Sequence, residues 1–252
     1  MKKILLGVVG VIALGAAPAL AADLPVRTYS RAPAMIAAVY DWSGFYVGLN
    51  AGGGSSHKCW DISNDLGATV VPVREGCHNA TGALAGGQAG FRWQSGAWVF
   101  GVEGQGDWTS FKGSNISAFA PLTGATNQTK IDALGLLTGQ VGYAWDSVLF
   151  YVKGGGAVLA DRYNGLVTGT NVIFDSARET RWGGTVGAGI EFGFAPNWSV
   201  AAEYDHLFMG SRNLNFALTN GTLSRIDRIS QDADIGTIRV NYRWGGPVIA
   251  KY

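Results

Sequence analysis

The chain has 252 residues, of which 47% are hydrophobic and only 15% charged, with a formal charge of +1. Removing the leader lysines Lys2 and Lys3 from 19 basic residues leaves 17 against 18 acidic ones, so there is no basic excess to draw in nucleic acid. After the leader no stretch is apolar and long enough to be a membrane helix, so the apolar residues must be buried by alternation.

Lys2 and Lys3 precede an apolar run from Ile4 to Ala17, and Ala19-Leu20-Ala21 supplies a small-x-small cleavage pattern. This predicts an export signal over 1–21 and a mature start near Ala22. Residues 22–41, with Pro25, Pro33, Arg27 and Arg31, lack sustained periodicity and read as a periplasmic linker.

Eight alternating segments follow, at about 42–55, 80–93, 98–110, 129–145, 148–161, 181–194, 198–210 and 231–244. In the first, Phe45, Val47 and Leu49 share one face and Tyr46, Gly48 and Asn50 the other. In the last, Ile238, Val240, Tyr242 and Trp244 oppose Arg239, Asn241 and Arg243. Three of the connections are tight turns flanked by aromatics; four, at 56–79, 111–128, 162–180 and 211–230, are long and polar. The sum is an all-β, eight-stranded antiparallel transmembrane β-barrel over 42–244, with short periplasmic turns and four long extracellular loops. A soluble lipocalin-like barrel is the alternative. The aromatics argue against it: Trp42, Phe45, Trp93, Trp98, Tyr143, Trp145, Phe194, Trp198, Tyr242 and Trp244 gather at one strand end, as a membrane-interface girdle requires. Glycine runs such as 52–54 and 154–156 lack the Lys-Ser/Thr and the helix of a phosphate loop, and read as bending points.

Five residues from the turn-side anchors, the polar face carries Gln88, Glu103, Gln140, Lys153, Glu203 and Arg239; Glu191 shares that face. An eight-stranded bore is just wide enough for side chains to fill. The expectation is a self-neutralising network that plugs the barrel, in preference to a charged constriction that selects solutes.

Cys59 and Cys77 share one polar segment, and an oxidising compartment makes a disulfide the natural pairing; two free surface thiols are the alternative. A bond would bring His57 and His78 together, with Asp61 and Glu75 nearby, as weak candidate metal or haem ligands. A stapled, solvated loop with incidental histidines is the preferred reading, so no cofactor and no metal is assigned. His206 shares the face of Trp198 and Tyr204 while Asp205 points the other way, so the two should not form a base-orienter pair, and an enzyme is not expected.

Ala22-Asp23-Leu24-Pro25 and Trp42-Ser43-Gly44-Phe45-Tyr46-Val47-Gly48 resemble the opening of alphaproteobacterial outer-membrane immunogenic proteins, porin-like barrels of the OmpA/OmpX-like group. Val141-Gly142-Tyr143-Ala144, Gly187-Ala188-Gly189-Ile190-Glu191, Ala195-Pro196-Asn197-Trp198 and the closing Val240-Asn241-Tyr242-Arg243-Trp244 are similar to that family's internal motifs. The resemblance implies a surface antigen in the outer membrane of a Gram-negative bacterium that supports envelope integrity. Its partners would be membrane lipids, lipopolysaccharide, the assembly machinery and surface or host ligands reached through the loops. Some relatives are described as porins and some as haem binders, and the family offers no catalytic residues. One departure is the tail 245–252, which follows Trp244 where such barrels usually end; either Trp244 or Tyr252 would serve as the assembly signal.

Overall fold

Alternation of apolar and polar side chains gives each strand two faces, and a strand whose outer face meets lipid must have both edges paired. The computed structural model, which describes residues 40–119, 124–170 and 172–244, meets this requirement by closure. The strands are β1 (Gly44–Asp65), β2 (Ala68–Ser95), β3 (Trp98–Ile116), β4 (Ala125–Trp145), β5 (Val148–Val167), β6 (Ile173–Ala195), β7 (Trp198–Leu218) and β8 (Leu223–Trp244). Each pairs antiparallel with the next, and β1 pairs with β8 from Phe45↔Trp244 to Asp65↔Arg225. The expected export signal, the linker up to residue 39 and the tail 245–252 lie outside the described residues.

The strands are longer than their hydropathy pattern. The four long polar connections remain in strand for most of their length; among the described residues only 66–67, 117–119, 124, 168–170, 172 and 219–222 lie outside the strands there. Beyond the membrane neither face needs to be apolar, so the period-two signal fades while the backbone ladder continues. Several bulges exchange the inward parity toward the outer end, and two of them bear on the lumen. One lies between Ile131 and Ala133 of β4; the other lies between Phe208 and Gly210 of β7, where Gly210 has φ +66°. Bulges favour barrel rims, and a left-handed residue there favours glycine.

The outer face carries the apolar residues. Val102, Leu137, Val152, Val186 and Ile238 are all exposed on it. At the turn end stand Phe45, Trp93, Trp98, Tyr143, Trp145, Phe194, Trp198, Tyr242 and Trp244, several in ring contact, such as Trp98 with Tyr143 at 5.6 Å. A second set, Trp108, Trp182 and Phe208, lies about ten residues further along β3, β6 and β7, the step that spans an apolar band of about 25 Å on tilted strands. Trp42 does not belong to the girdle. It is buried inside the turn-end mouth, 4.5 Å from the Tyr40 ring, with Val99, Leu149 and Tyr151 packed around it. It precedes the first strand, so strand parity did not constrain it.

Candidate functional site

The lumen is filled in layers. Above Trp42, Arg92 of β2 reaches Glu191 of β6 at 2.8 Å, and its guanidinium lies 4.4 Å from the Tyr46 ring. Asn241 donates to Glu191 at 3.0 Å, and Ser199 bonds the same carboxylate. The next layer centres on two acids and two bases. Arg239 contacts Glu103 at 2.7 Å and also bonds Glu203; Lys153 lies 2.6 Å from Glu203 and 3.5 Å from Glu103. Tyr46 donates to Glu103 at 2.6 Å and Tyr151 to Glu203 at 2.7 Å. Gln88 accepts from Asn50 at 2.9 Å and donates to Asn241 at 2.7 Å, while Gln140 donates to Tyr46 at 3.1 Å. The seven lumen residues singled out from the sequence therefore point inward and share one network of hydrogen bonds and ion pairs.

The two tyrosines were not singled out, although each has a signature across the strand pair. Tyr46 faces Gly90 and Tyr151 faces Gly189. A Cβ on Gly90 would stand 2.6 Å from the Tyr46 ring, and one on Gly189 would strike Tyr151. Absence of a side chain there lets each phenol lie across the wall and reach a carboxylate.

Above the polar layers comes an apolar septum. Leu84, Phe111, Ile131, Leu134, Leu136, Leu159, Leu207, Met209 and Ile235, with Ala80, Ala157 and Ala233, form one cluster drawn from all strands except β1 and β6, every member nearly inaccessible. Period-two alternation alone does not mark this layer. Its residues lie near the bulges, where inward parity changes, and part of it falls in segments read as loops.

Further out, Lys58 of β1 bonds Asp161 of β5 at 2.6 Å beside Trp60, Tyr163 and Phe216. Burial pulls the Lys58 ammonium down to about 8 despite Asp161. At the outer end Arg225 meets Glu75 at 2.9 Å, Asp175 at 3.2 Å and Asp227 at 3.3 Å. Three acids share one guanidinium, so burial outweighs the arginine at Asp227 and pushes its carboxyl up to about 7.

Cys59 and Cys77 face each other across β1 and β2 and form a disulfide, with Cα atoms 4.1 Å apart. This pairing does not bring the histidines together. His57 faces outward and contacts Asn79 at 2.7 Å; His78 faces the lumen, held by Asn115 at 2.7 Å and Thr129 at 3.0 Å. Residues 57 and 78 have opposite parity, so the sheet itself separates their rings. His206 is turned away from Asp205, as parity requires, but its Nδ1 lies 2.7 Å from Asp234 on β8. Tyr204 donates to the same Asp234 oxygen at 2.5 Å. That partner lies across the strand pair, where local sequence could not reveal it.

A closed antiparallel barrel with an apolar outer wall, aromatic girdles and a filled polar-to-apolar lumen is a membrane barrel of the outer-membrane type. The chain belongs to the outer membrane protein beta-barrel domain family, which it matches over residues 8–244. It is 31% identical over 230 residues to the 31 kDa outer-membrane immunogenic protein of Brucella melitensis biotype 1, covering 85% of this chain and 90% of that one. It is 28% identical over 205 residues to the 25 kDa outer-membrane immunogenic protein of Brucella abortus biovar 1, covering 81% and 82%. Among solved structures it is similar to the outer membrane protein OprG from Pseudomonas aeruginosa, with 11% identity, a TM-score of 0.48 and coverage of 81% and 97%. It is an outer-membrane protein, and its outer wall is in contact with lipid.

Proposed function

We propose that this chain is a sealed structural barrel and surface antigen that contributes to envelope integrity, without catalysis of its own. The observation that carries this reading is the apolar septum between two polar layers of the lumen. Exposing a buried Leu, Ile, Phe or Met to water costs roughly 1.5–3 kcal/mol each, so a continuous water column past this layer is strongly disfavoured. The porin reading loses its bore for that reason. The haem or metal reading loses its ligand pair, because His57 and His78 stand on opposite faces of the sheet. What remains for the outside is the outer extension of the barrel, whose four turns are the parts available to surface ligands and antibodies.

Deleting the protein should sensitise cells to detergent, and expressing the wild-type chain should restore resistance. Proteoliposomes holding the refolded protein should swell in small sugars no faster than protein-free liposomes. Unchanged detergent resistance in the deletion, or rapid swelling, would overturn the reading.

A further inference from the structure

Four basic residues form one unbroken row on the outer wall. Lys112 of β3 stands directly opposite Lys130 of β4, Lys130 opposite Arg162 of β5, and Arg162 opposite Arg178 of β6. Lys112, Arg162 and Arg178 are exposed and Lys130 is partly so. Like charges directly opposite on a sheet destabilise it, because their Cβ atoms lie only about 4.5–5.5 Å apart. Internal compensation is small. Asp132 pairs with Arg162 at 2.5 Å, while among the described residues Lys112, Lys130 and Arg178 have no ion pair.

The height of the row is informative. It lies four residues beyond Trp108 on β3 and four beyond Trp182 on β6, both in the second aromatic girdle. At about 3.3 Å per residue along a tilted strand, that is about 10 Å above the apolar band, the level of lipid headgroups. At the register level of the row the charge is sorted: the outward residues of β8 there are Asp232 and Asp234, joined to Lys112 through Thr81 and Ser55. The exposed Arg74, Arg212 and Arg228 stand further out on β2, β7 and β8. Solubility alone would not set cations on β3–β6 and acids on β8 at one level. A recess of about 250 Å³ opens between Arg162 and Arg178, with Asp132, Glu179 and Thr180 on its walls.

We propose that this row binds the phosphate groups of a phosphorylated lipid in the outer leaflet, whose acyl chains lie along the wall of β3–β6 below it. This goes beyond the sealed-barrel reading and does not depend on it, since a conducting barrel would carry the same outer wall. The lipid supplies the missing counter-charge, and the two tryptophans mark where its headgroup meets its chains.

The test uses the full chain folded in detergent micelles, with native mass spectrometry of bound bisphosphorylated lipid A and of dephosphorylated lipid A. The wild type should retain the phosphorylated form at least about tenfold better, given roughly 1 kcal/mol per basic residue near an anionic surface. The variant Lys112→Gln/Lys130→Gln/Arg162→Gln/Arg178→Gln should lose that preference, and Arg74→Gln/Arg228→Gln on the far side should keep it. Heat-modifiability on gels checks folding; should the fourfold variant fail it, Lys112→Gln/Lys130→Gln alone should weaken the preference. An unchanged preference in the folded variants, an equal loss in the far-side control, or displacement of the lipid by soluble polyphosphate would overturn the proposal. The last result would assign the row to a soluble polyanion.

Discussion

Arg92 and Glu191 meet at 2.8 Å although they stand on β2 and β6, with three strands between them in either direction around the wall. One ion pair thus spans the bore from side to side. Lys58 and Asp161, on β1 and β5, repeat the relationship near the outer end at 2.6 Å. Side chains that reach across a barrel act as struts, and their lengths match the narrow interior of eight strands.

Removing one end of such a strut should be far worse than removing both. Arg92→Met leaves the Glu191 carboxylate buried without its cation, a change that typically costs about 3–5 kcal/mol. Arg92→Met/Glu191→Gln should recover a large part of that loss. Denaturant unfolding in micelles reads both, and equal destabilisation by the single and double variants would contradict the strut.

Depth on the lipid face should matter more than residue type. Val186→Arg places a charge in the apolar band of β6 and should cost about 2–4 kcal/mol. Ile116→Arg is the same kind of change on the outer face of β3, at an exposed position beyond the second girdle, and should be close to neutral. Insertion yield and unfolding of the two variants, side by side, measure the contrast. Equal sensitivity would remove the case for where the membrane lies.

Acid should tighten the outer end of the barrel. The Asp227 carboxyl is raised by burial to about 7 from an ordinary 3.8, so the folded state holds its proton more firmly than the unfolded chain does. Its contribution is therefore full below about pH 4 and is lost as pH rises through about 7. Hydrogen exchange around 223–229 should quicken across that window. Asp227→Asn should flatten the response and slow exchange at pH 8; a variant with the wild-type pH profile would rule the carboxyl out.

Reduction of the Cys59–Cys77 disulfide should loosen the β1–β2 tip and leave the membrane part intact. The bond closes a loop with a sequence separation of 18, worth about 3 kcal/mol in the chain-entropy account. Protease should then cut within 60–76 while the heat-modifiable barrel persists on gels. Collapse of the whole barrel on reduction would show the two parts to be one cooperative unit.

The legible parts of the sequence were those governed by lipid. Where one face must be apolar, as at Val102 or Val186, period two exposes the strand and its inward residues, so Glu103 and Lys153 were readable as lumen groups. Once a strand leaves the bilayer that constraint lapses, and the ladder from Ser56 to Asp65 reads as loop although it is paired on both sides. The septum was hidden because bulges near Ala133 and Gly210 shift parity just where its residues lie. Trp42 is not legible as a plug residue because a girdle ring and a plug ring have the same composition; its burial and its contacts with Tyr40, Arg92 and Val99 distinguish them.

Leu84, Phe111, Ile131, Leu134, Leu136, Leu159, Leu207, Met209 and Ile235 are proposed to close the bore. Planar-bilayer recording of the refolded wild-type chain tests that closure most directly. A sealed barrel should give a baseline without stable conductance steps, in bilayers where gel mobility confirms folded protein. A steady, reproducible single-channel conductance, with an ion preference that shifts on Lys153→Met, would contradict it and make the barrel a channel.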